Sequence, residues 1–269
     1  FDRVAQGDLD ADISEDAYSE TRQMSQAVQK SLRKLKAVDQ SRQEFVSNVS
    51  HELKTPITSI RVLADSLMGM EDAPVELYRE FMADISDEID RENQIIEDLL
   101  TLVRMDKSAE SQMNISQVHI NHELEMILKR LRPIARKKDV EVVFESVRPV
   151  VAEVDEVKMT LIMTNLVENA IKYNKDHGWV KVILDADHQY FTFEVSDSGI
   201  GIPEEALAHI CERFYRVDKS HSREIGGTGL GLAITKSAVL MHKGSLTVTS
   251  TEGQGSCFLV KIPLTYIAS

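Results

Sequence analysis

The chain has 269 residues, room for about two domains that each bury a core. It carries 44 acidic against 31 basic side chains, a formal charge of -13, and has no dense basic run to track a phosphate backbone, which argues against direct nucleic-acid binding. Its two cysteines, Cys211 and Cys257, lack metal-ligand spacing and fit a reducing compartment, and no apolar stretch approaches the roughly 18 to 20 residues that span a bilayer.

The charged opening FDRVAQGDLDADI does not resemble a signal peptide, and a start at Phe1 without Met implies that a preceding segment was removed. From Met24 the apolar residues Val28, Leu35, Val38, Phe45 and Val49 alternate at three and four spacings if Ser31 and Arg42 fill two further positions, the seam of a coiled-coil-like helix. The seam continues through Leu53, Ile57, Ile60, Leu63 and Leu67. Gly69-Met70-Glu71-Asp72-Ala73-Pro74 then supplies a glycine, an Asp able to cap and a Pro near a helix start. A second helix from Val75 to about Met105 shows Leu77, Phe81, Ile85, Ile89, Ile96, Leu99, Leu100 and Val103 on its apolar face. This antiparallel hairpin cannot cover its own stripe, and two copies joined as a four-helix bundle would bury both, so a homodimer is expected.

Beyond the polar stretch Asp106 to Gln117 the pattern changes. A helix is expected over Asn121 to Arg136, strands over Val140 to Glu145 and Val150 to Val154, and a helix over Glu156 to Tyr173. Strands near Val180 to Ala186 and Tyr190 to Ser196 precede a loop and a helix around Leu230 to Met241. Ser245 to Thr251 and Ser256 to Ile262 flank Glu252-Gly253-Gln254-Gly255 as a hairpin. The fold class is therefore multidomain: an all-α hairpin followed by an α+β two-layer sandwich with helices on one face of a mixed sheet.

With Val49 on the seam, His51 lies about 200° around a helix of about 3.6 residues per turn and faces solvent. A lone outward His is ordinarily surface. Its neighbourhood, FVSNVSHELKTPITSI over Phe45 to Ile60, closely resembles the H-box of sensor histidine kinases, and the resemblance implies that His51 is the phosphoacceptor. A neutral imidazole with a pKa near 6.5 keeps the lone pair that attack on phosphorus needs. By the same resemblance Glu52 orients or deprotonates the imidazole, although adjacent helical residues do not face each other and Glu52 could equally be a solvated carboxylate. Thr55, one turn from His51, would position the water that dephosphorylates a partner, or is merely the neighbour of Pro56. Pro56 should kink the helix, because its ring clashes with the carbonyl of Glu52.

No Walker-type or protein-kinase glycine loop is present, so a nucleotide would have to be held otherwise. Asn165, Asn169, Lys172 and Tyr173 form one polar stripe on a helix, with amide oxygens of the kind that suit Mg²⁺. The segment resembles the family's N-box, which implies Asn169 as the Mg²⁺ ligand, Asn165 beside it and Lys172 near the phosphates; Asn165 and Tyr173 could also simply bound a helix end. Asp197-Ser198-Gly199-Ile200-Gly201 resembles the G1-box, with the Asp197 carboxylate accepting the adenine amino group and Gly199 and Gly201 admitting close backbone approach. Glu212 to Asp218 resembles the F-box, where Arg216 either touches phosphate or covers its aromatic neighbours. Gly226-Gly227-Thr228-Gly229-Leu230-Gly231-Leu232 resembles the G2-box, whose amides open the next helix as an anion site. Between Pro203 and Gly226 a polar segment with His221, Ser222 and Arg223 reads as a lid that orders over ATP.

The five boxes occur in family order over residues 45 to 232. The implied domains are 1–37, the second half of a HAMP-like linker and signalling coiled coil; 38–110, a dimerisation and histidine-phosphotransfer domain of HisKA type; and 116–266, a catalytic domain of HATPase_c type with the Bergerat ATP-binding fold. The implied activity is that of a two-component sensor kinase: Mg-ATP phosphorylates His51, the phosphoryl group passes to an Asp of a response-regulator receiver domain, and phosphatase activity towards that regulator accompanies it. Upstream membrane helices would hold the complete protein at the cytoplasmic face of a bacterial plasma membrane. An ATP-gated clamp or chaperone of the wider superfamily would share the pocket without HELKTP, and a nonenzymatic scaffold would not need Asn169, Asp197, Thr228 and the glycines. His119-x-x-His122 has no further metal ligand nearby and reads as surface.

Overall fold

The computed structural model describes residues 19–70, 74–107, 113–217 and 227–266. The first part of the HAMP-like segment, Asp72, and the lid residues His221, Ser222 and Arg223 lie outside the described residues. The chain divides into two compact units, Phe1–Ile89 and Asp90–Ser269.

In the first unit, helix α1 (Ser19–Met68) is 50 residues long and runs on through Pro56. Proline has no N–H, so the Glu52 carbonyl lacks its usual donor four residues on. Hydroxyls along this helix bond back to the preceding turn: Ser50 to the Val46 carbonyl at 2.9 Å, Thr55 to that of His51 at 3.1 Å and Thr58 to that of Lys54 at 2.8 Å. The chain then turns into α2 (Val75–Lys107), whose first turn is received by the Pro74 carbonyl, with amide donors Leu77 at 3.0 Å and Tyr78 at 3.3 Å. The Tyr78 hydroxyl closes the turn on the Met70 carbonyl at 3.2 Å.

The second unit begins inside α2. Ile95 and Leu102, seven residues apart, are each 1% exposed, and Met105 packs against the core of this unit. The apolar stripe read from the sequence counted Ile96, Leu100 and Val103 instead, and these remain exposed. Seven-residue spacing returns to the same helix face, so the end of α2 carries two apolar faces, and periodicity alone could not say which one the chain itself covers.

The remaining elements are β1 (Ile115–His119), α3 (Ile120–Lys137), β2 (Glu141–Ser146), β3 (Val151–Asp155), α4 (Glu156–Lys172), β4 (Trp179–Ala186), β5 (Tyr190–Asp197), a short α5 (Glu204–Leu207), α6 (Gly231–Met241), β6 (Ser245–Thr251) and β7 (Gly255–Pro263). Five strands form one sheet in the order β2-β4-β5-β7-β6, with β2 parallel to β4 and every other neighbour antiparallel. Burial alternates strictly along β4 and β5. One face therefore presents Val180, Val182, Leu184, Phe191, Phe193 and Val195 to the apolar sides of α3, α4 and α6, the expected sandwich.

Strand β1 was not expected; the sequence reads there as part of a polar stretch. It pairs antiparallel with β3 in a separate two-stranded sheet, and only Val118 of its five residues is buried. A strand fixed by backbone bonds and one apolar contact leaves no alternating signal.

Asp155 joins these pieces. It is buried at the N-cap of α4, accepts from the Lys158 amide at 3.1 Å and the Asn114 amide at 3.0 Å, and pairs with the Lys158 ammonium at 2.6 Å. Its own amide donates to Nε2 of His242 at 3.0 Å, and burial pushes the His242 pKa down, which keeps the imidazole a neutral acceptor. Asp155→Ala removes the cap and strands two donors, so a loss of about 2–3 kcal/mol is expected in urea unfolding, against less than about 0.5 kcal/mol for a surface control such as Glu204→Ala.

Candidate active site

His51 stands exposed on α1, as its offset from the seam requires, with Glu52 half-buried and Thr55 exposed one turn on. Pro56 is buried. The Thr55 hydroxyl spends its proton on the His51 carbonyl, so it meets solvent as an acceptor.

The second unit gathers the remaining sequence-selected residues around the end of α4. At the strand end of β5, Asp197 is 8% exposed. Its Oδ1 accepts from the Gly199 amide at 2.8 Å, and the Ser256 amide also faces the carboxylate. Burial pushes its pKa up, against those two amides. The loop that follows is built by close main-chain approach. A Cβ on Gly199 would meet the Tyr173 carbonyl oxygen at 2.3 Å, and one on Gly201, at φ +69, the Thr251 carbonyl oxygen at 2.1 Å. Across the hairpin a Cβ on Gly255 would meet the Asp197 carbonyl oxygen at 1.9 Å. Ile200 donates to the Tyr173 carbonyl at 3.1 Å and receives the Gly253 amide at 2.7 Å, so the loop is held between α4 and the β6–β7 turn.

The polar stripe of α4 divides by task. Asn165 donates through Nδ2 to the Gly231 carbonyl at 3.2 Å and to the Thr235 hydroxyl at 3.4 Å, clasping α4 to α6. Asn169 is half-buried, and its amide makes no hydrogen bond among the described residues. Lys172 pairs with Glu168 at 2.9 Å, while Tyr173 caps the helix and its hydroxyl would lie 3.3 Å from a Cβ on Gly227. A shielded amide without a protein partner suits a hard cation such as Mg²⁺.

The F-box and G2-box segments meet through backbone. Phe214, at φ +63, donates its amide to the Gly229 carbonyl at 2.9 Å; Gly229, at φ +68, leaves no room for a side chain against Phe214. Arg216 lies half-buried just beyond. Thr228 accepts the Leu230 amide at 3.2 Å, and Leu230 begins α6, where no side chain caps the first turn. The first-turn amides of α6 are thus left without a side-chain acceptor.

Two residues escaped the sequence reading. Asn174 is buried and fully used: its Nδ2 donates to the Ala170 carbonyl at 3.1 Å and the Trp179 carbonyl at 2.9 Å, and its Oδ1 accepts from the Lys175 amide and the Ser198 hydroxyl, both at 3.0 Å. An asparagine just past a helix end is commonplace, so nothing local announces this staple. Asp98 of α2 accepts from the Thr228 hydroxyl at 2.6 Å and from the Gln94 amide at 2.8 Å. Burial is the largest influence on Asp98 and pushes its pKa up, helped by Glu168, while Thr228, Gln94 and Lys172 oppose it. No motif marks this residue.

Comparison with known proteins places both parts of the chain in described domain families. Residues 41–108 match the His Kinase A (phospho-acceptor) domain family, and residues 154–266 match the histidine kinase-, DNA gyrase B- and HSP90-like ATPase family. The chain is 38% identical over 229 residues to the sensor protein kinase WalK of Staphylococcus saprophyticus and 34% identical over 229 residues to the sensor histidine kinase WalK of Bacillus subtilis. Each alignment covers 84% of this chain and 37% of the relative, so the chain spans little more than a third of their length. Among solved structures, full-length ShkA in complex with AMPPNP matches with a TM-score of 0.62 at 26% identity, over 84% of this chain and 47% of that one. ThkA, solved in complex with the response regulator protein TrrA, matches in fold with a TM-score of 0.70 at 23% identity, over 93% of this chain and 68% of that one. Two domain families in this order, an outward histidine in the first and a carboxylate-floored glycine loop in the second, have one reading: the chain belongs to the sensor histidine kinases.

Proposed function

We propose that the chain is the catalytic portion of a two-component sensor kinase that phosphorylates its own His51 from Mg-ATP and passes the phosphoryl group to an Asp of a response-regulator receiver domain. The observation that carries this reading is the exposed imidazole of His51 within the matched phospho-acceptor segment. Residues 1–37 serve as linker, 38–110 as dimerisation and phosphotransfer domain, and 116–266 as catalytic domain.

Asp197 accepts the adenine amino group, and Gly199 and Gly201 let main chain lie against the base. Gly227, Thr228, Gly229, Leu230 and Gly231 meet the phosphates through the start of α6, with Lys172, Tyr173 and Arg216 alongside and Asn165 holding α6 in place. Asn169 would hold Mg²⁺, which when bound supplies neutralisation of phosphate charge. The His51 lone pair attacks the terminal phosphorus, a nitrogen–phosphorus bond forms as the bond to the bridging oxygen of ADP breaks, and Glu52 accepts the imidazole proton. Thr55, as an acceptor, orients the water that hydrolyses the phospho-Asp of the regulator and releases inorganic phosphate.

Val46, Ile57, Val62, Met82 and Ile89 are exposed in the first unit, and a second copy in a four-helix bundle would cover them. No helix among the described residues is long and apolar enough to cross a membrane. Attachment to the inner face of a bacterial plasma membrane, as we read it, rests with segments outside this chain.

The reading is tested by incubating the purified protein with γ-labelled ATP and Mg²⁺. A label that is lost in acid and kept in base is expected on the chain; an unlabelled chain, or a label stable to acid, would overturn it.

A further inference from the structure

The Asp98 carboxylate belongs to none of the family boxes, yet it sits on the phosphate loop. Thr228 Oγ carries a single proton, and that proton is donated to Asp98 Oδ2 at 2.6 Å, while the same oxygen receives the Leu230 amide. The only proton of the hydroxyl is thus committed to Asp98. Asp98 Oδ1 is fixed by Gln94 one turn earlier, and the carboxylate feels Glu168 and Lys172 of the α4 stripe. A negative group consequently stands where the loop and helix start are built to receive one.

We infer that Asp98 is an internal stand-in for a nucleotide phosphate, a latch on α2 that competes with the incoming triphosphate for the Thr228 hydroxyl. This rests on the reading of the site given above and deepens it by naming its regulation. A phosphate oxygen cannot take the Thr228 proton while Asp98 holds it, and two anions at one short loop repel. Ile95 and Leu102 are buried on either side of Asp98, and Met105 packs against the core of the second unit, so this stretch of α2 is held there. Binding of the phosphates therefore requires this part of α2 to shift or Asp98 to swing away, and whatever repositions α2 sets the affinity for nucleotide.

The test is a calorimetric comparison of ATP and adenosine binding, with and without Mg²⁺, to the parent chain, Asp98→Ala and Asp98→Asn. Asp98→Ala is expected to bind ATP about three- to tenfold more tightly, the scale of one charge-assisted hydrogen bond at a half-buried site, and to bind adenosine as the parent does. Asp98→Asn keeps an acceptor for Thr228 and loses the charge, so its ATP affinity falls between the two. Equal ATP affinity in all three proteins overturns the latch. Weaker binding of ATP by Asp98→Ala only when Mg²⁺ is present overturns it too, and makes Asp98 a cation ligand instead. A parent chain that binds neither ATP nor adenosine sinks the nucleotide-site reading itself. Thermal melts of both variants separate a lost fold from a lost latch: weaker binding of both ligands together with a lower melting temperature marks Asp98 as structural and counts against the proposal.

Discussion

His51→Gln protein mixed with Mg²⁺ and labelled ATP stays unlabelled, a fall of at least about a thousandfold in acid-labile phosphate, while its affinity for nucleotide equals that of the parent. The amide of glutamine has no lone pair basic enough to displace ADP from phosphorus, so the loss lies in the acceptor and not in the donor. Because the ring is exposed on α1, the substitution removes little packing, and urea unfolding should move by less than about 0.5 kcal/mol. Unimpaired labelling of this variant would assign the acceptor role to another histidine. Reduced nucleotide affinity would show instead that the substitution had reached the pocket.

Asp197→Asn gives the complementary outcome, with nucleotide affinity reduced about 30- to 100-fold and no acid-labile label at micromolar ATP. The asparagine oxygen can still receive the Gly199 amide, which turns its NH₂ towards the place where the adenine amino group would donate, donor against donor. Its effect on stability separates site from scaffold. Burial raises the Asp197 pKa, so the folded chain holds this proton more tightly than the unfolded chain. The associated stabilisation is complete below the unfolded value of about 3.9 and is lost as pH rises through the raised folded value. Asparagine does not titrate. The stability of Asp197→Asn relative to the parent should therefore increase between pH 4 and pH 7, a sign that melts across that range would check. A difference running the other way would mean that the carboxylate is held for the fold and not for a ligand.

Most of the architecture could be read from apolar spacing, since both long helices and the strands of the five-stranded sheet carry strong periodicity. What escaped has a physical reason in each case. β1 is bound mainly by backbone, which is the same for every residue type. Ile95 and Leu102 were passed over because α2 has two apolar faces and only tertiary packing selects between them. The glycines of the two Gly-rich boxes and Asp197 stood out in the sequence by resemblance, and the close main-chain approach at Gly199 and Gly201 and the burial of Asp197 are physical reasons for a restricted residue choice there. Asp98 meets Thr228 across 130 residues, and Asn174 adds Ser198 at 24 residues to its near neighbours Ala170, Lys175 and Trp179, contacts that no short pattern announces.

The floor of the Asp197 loop is lined by main-chain atoms: the Tyr173 carbonyl under Gly199, the Thr251 carbonyl under Gly201 and the Asp197 carbonyl under Gly255. Substitution elsewhere in the chain can alter side chains but not these oxygens, and any residue larger than glycine at the three positions collides with them. The contour of this loop can therefore change only where the backbone itself moves, which makes it the least mutable part of the second unit.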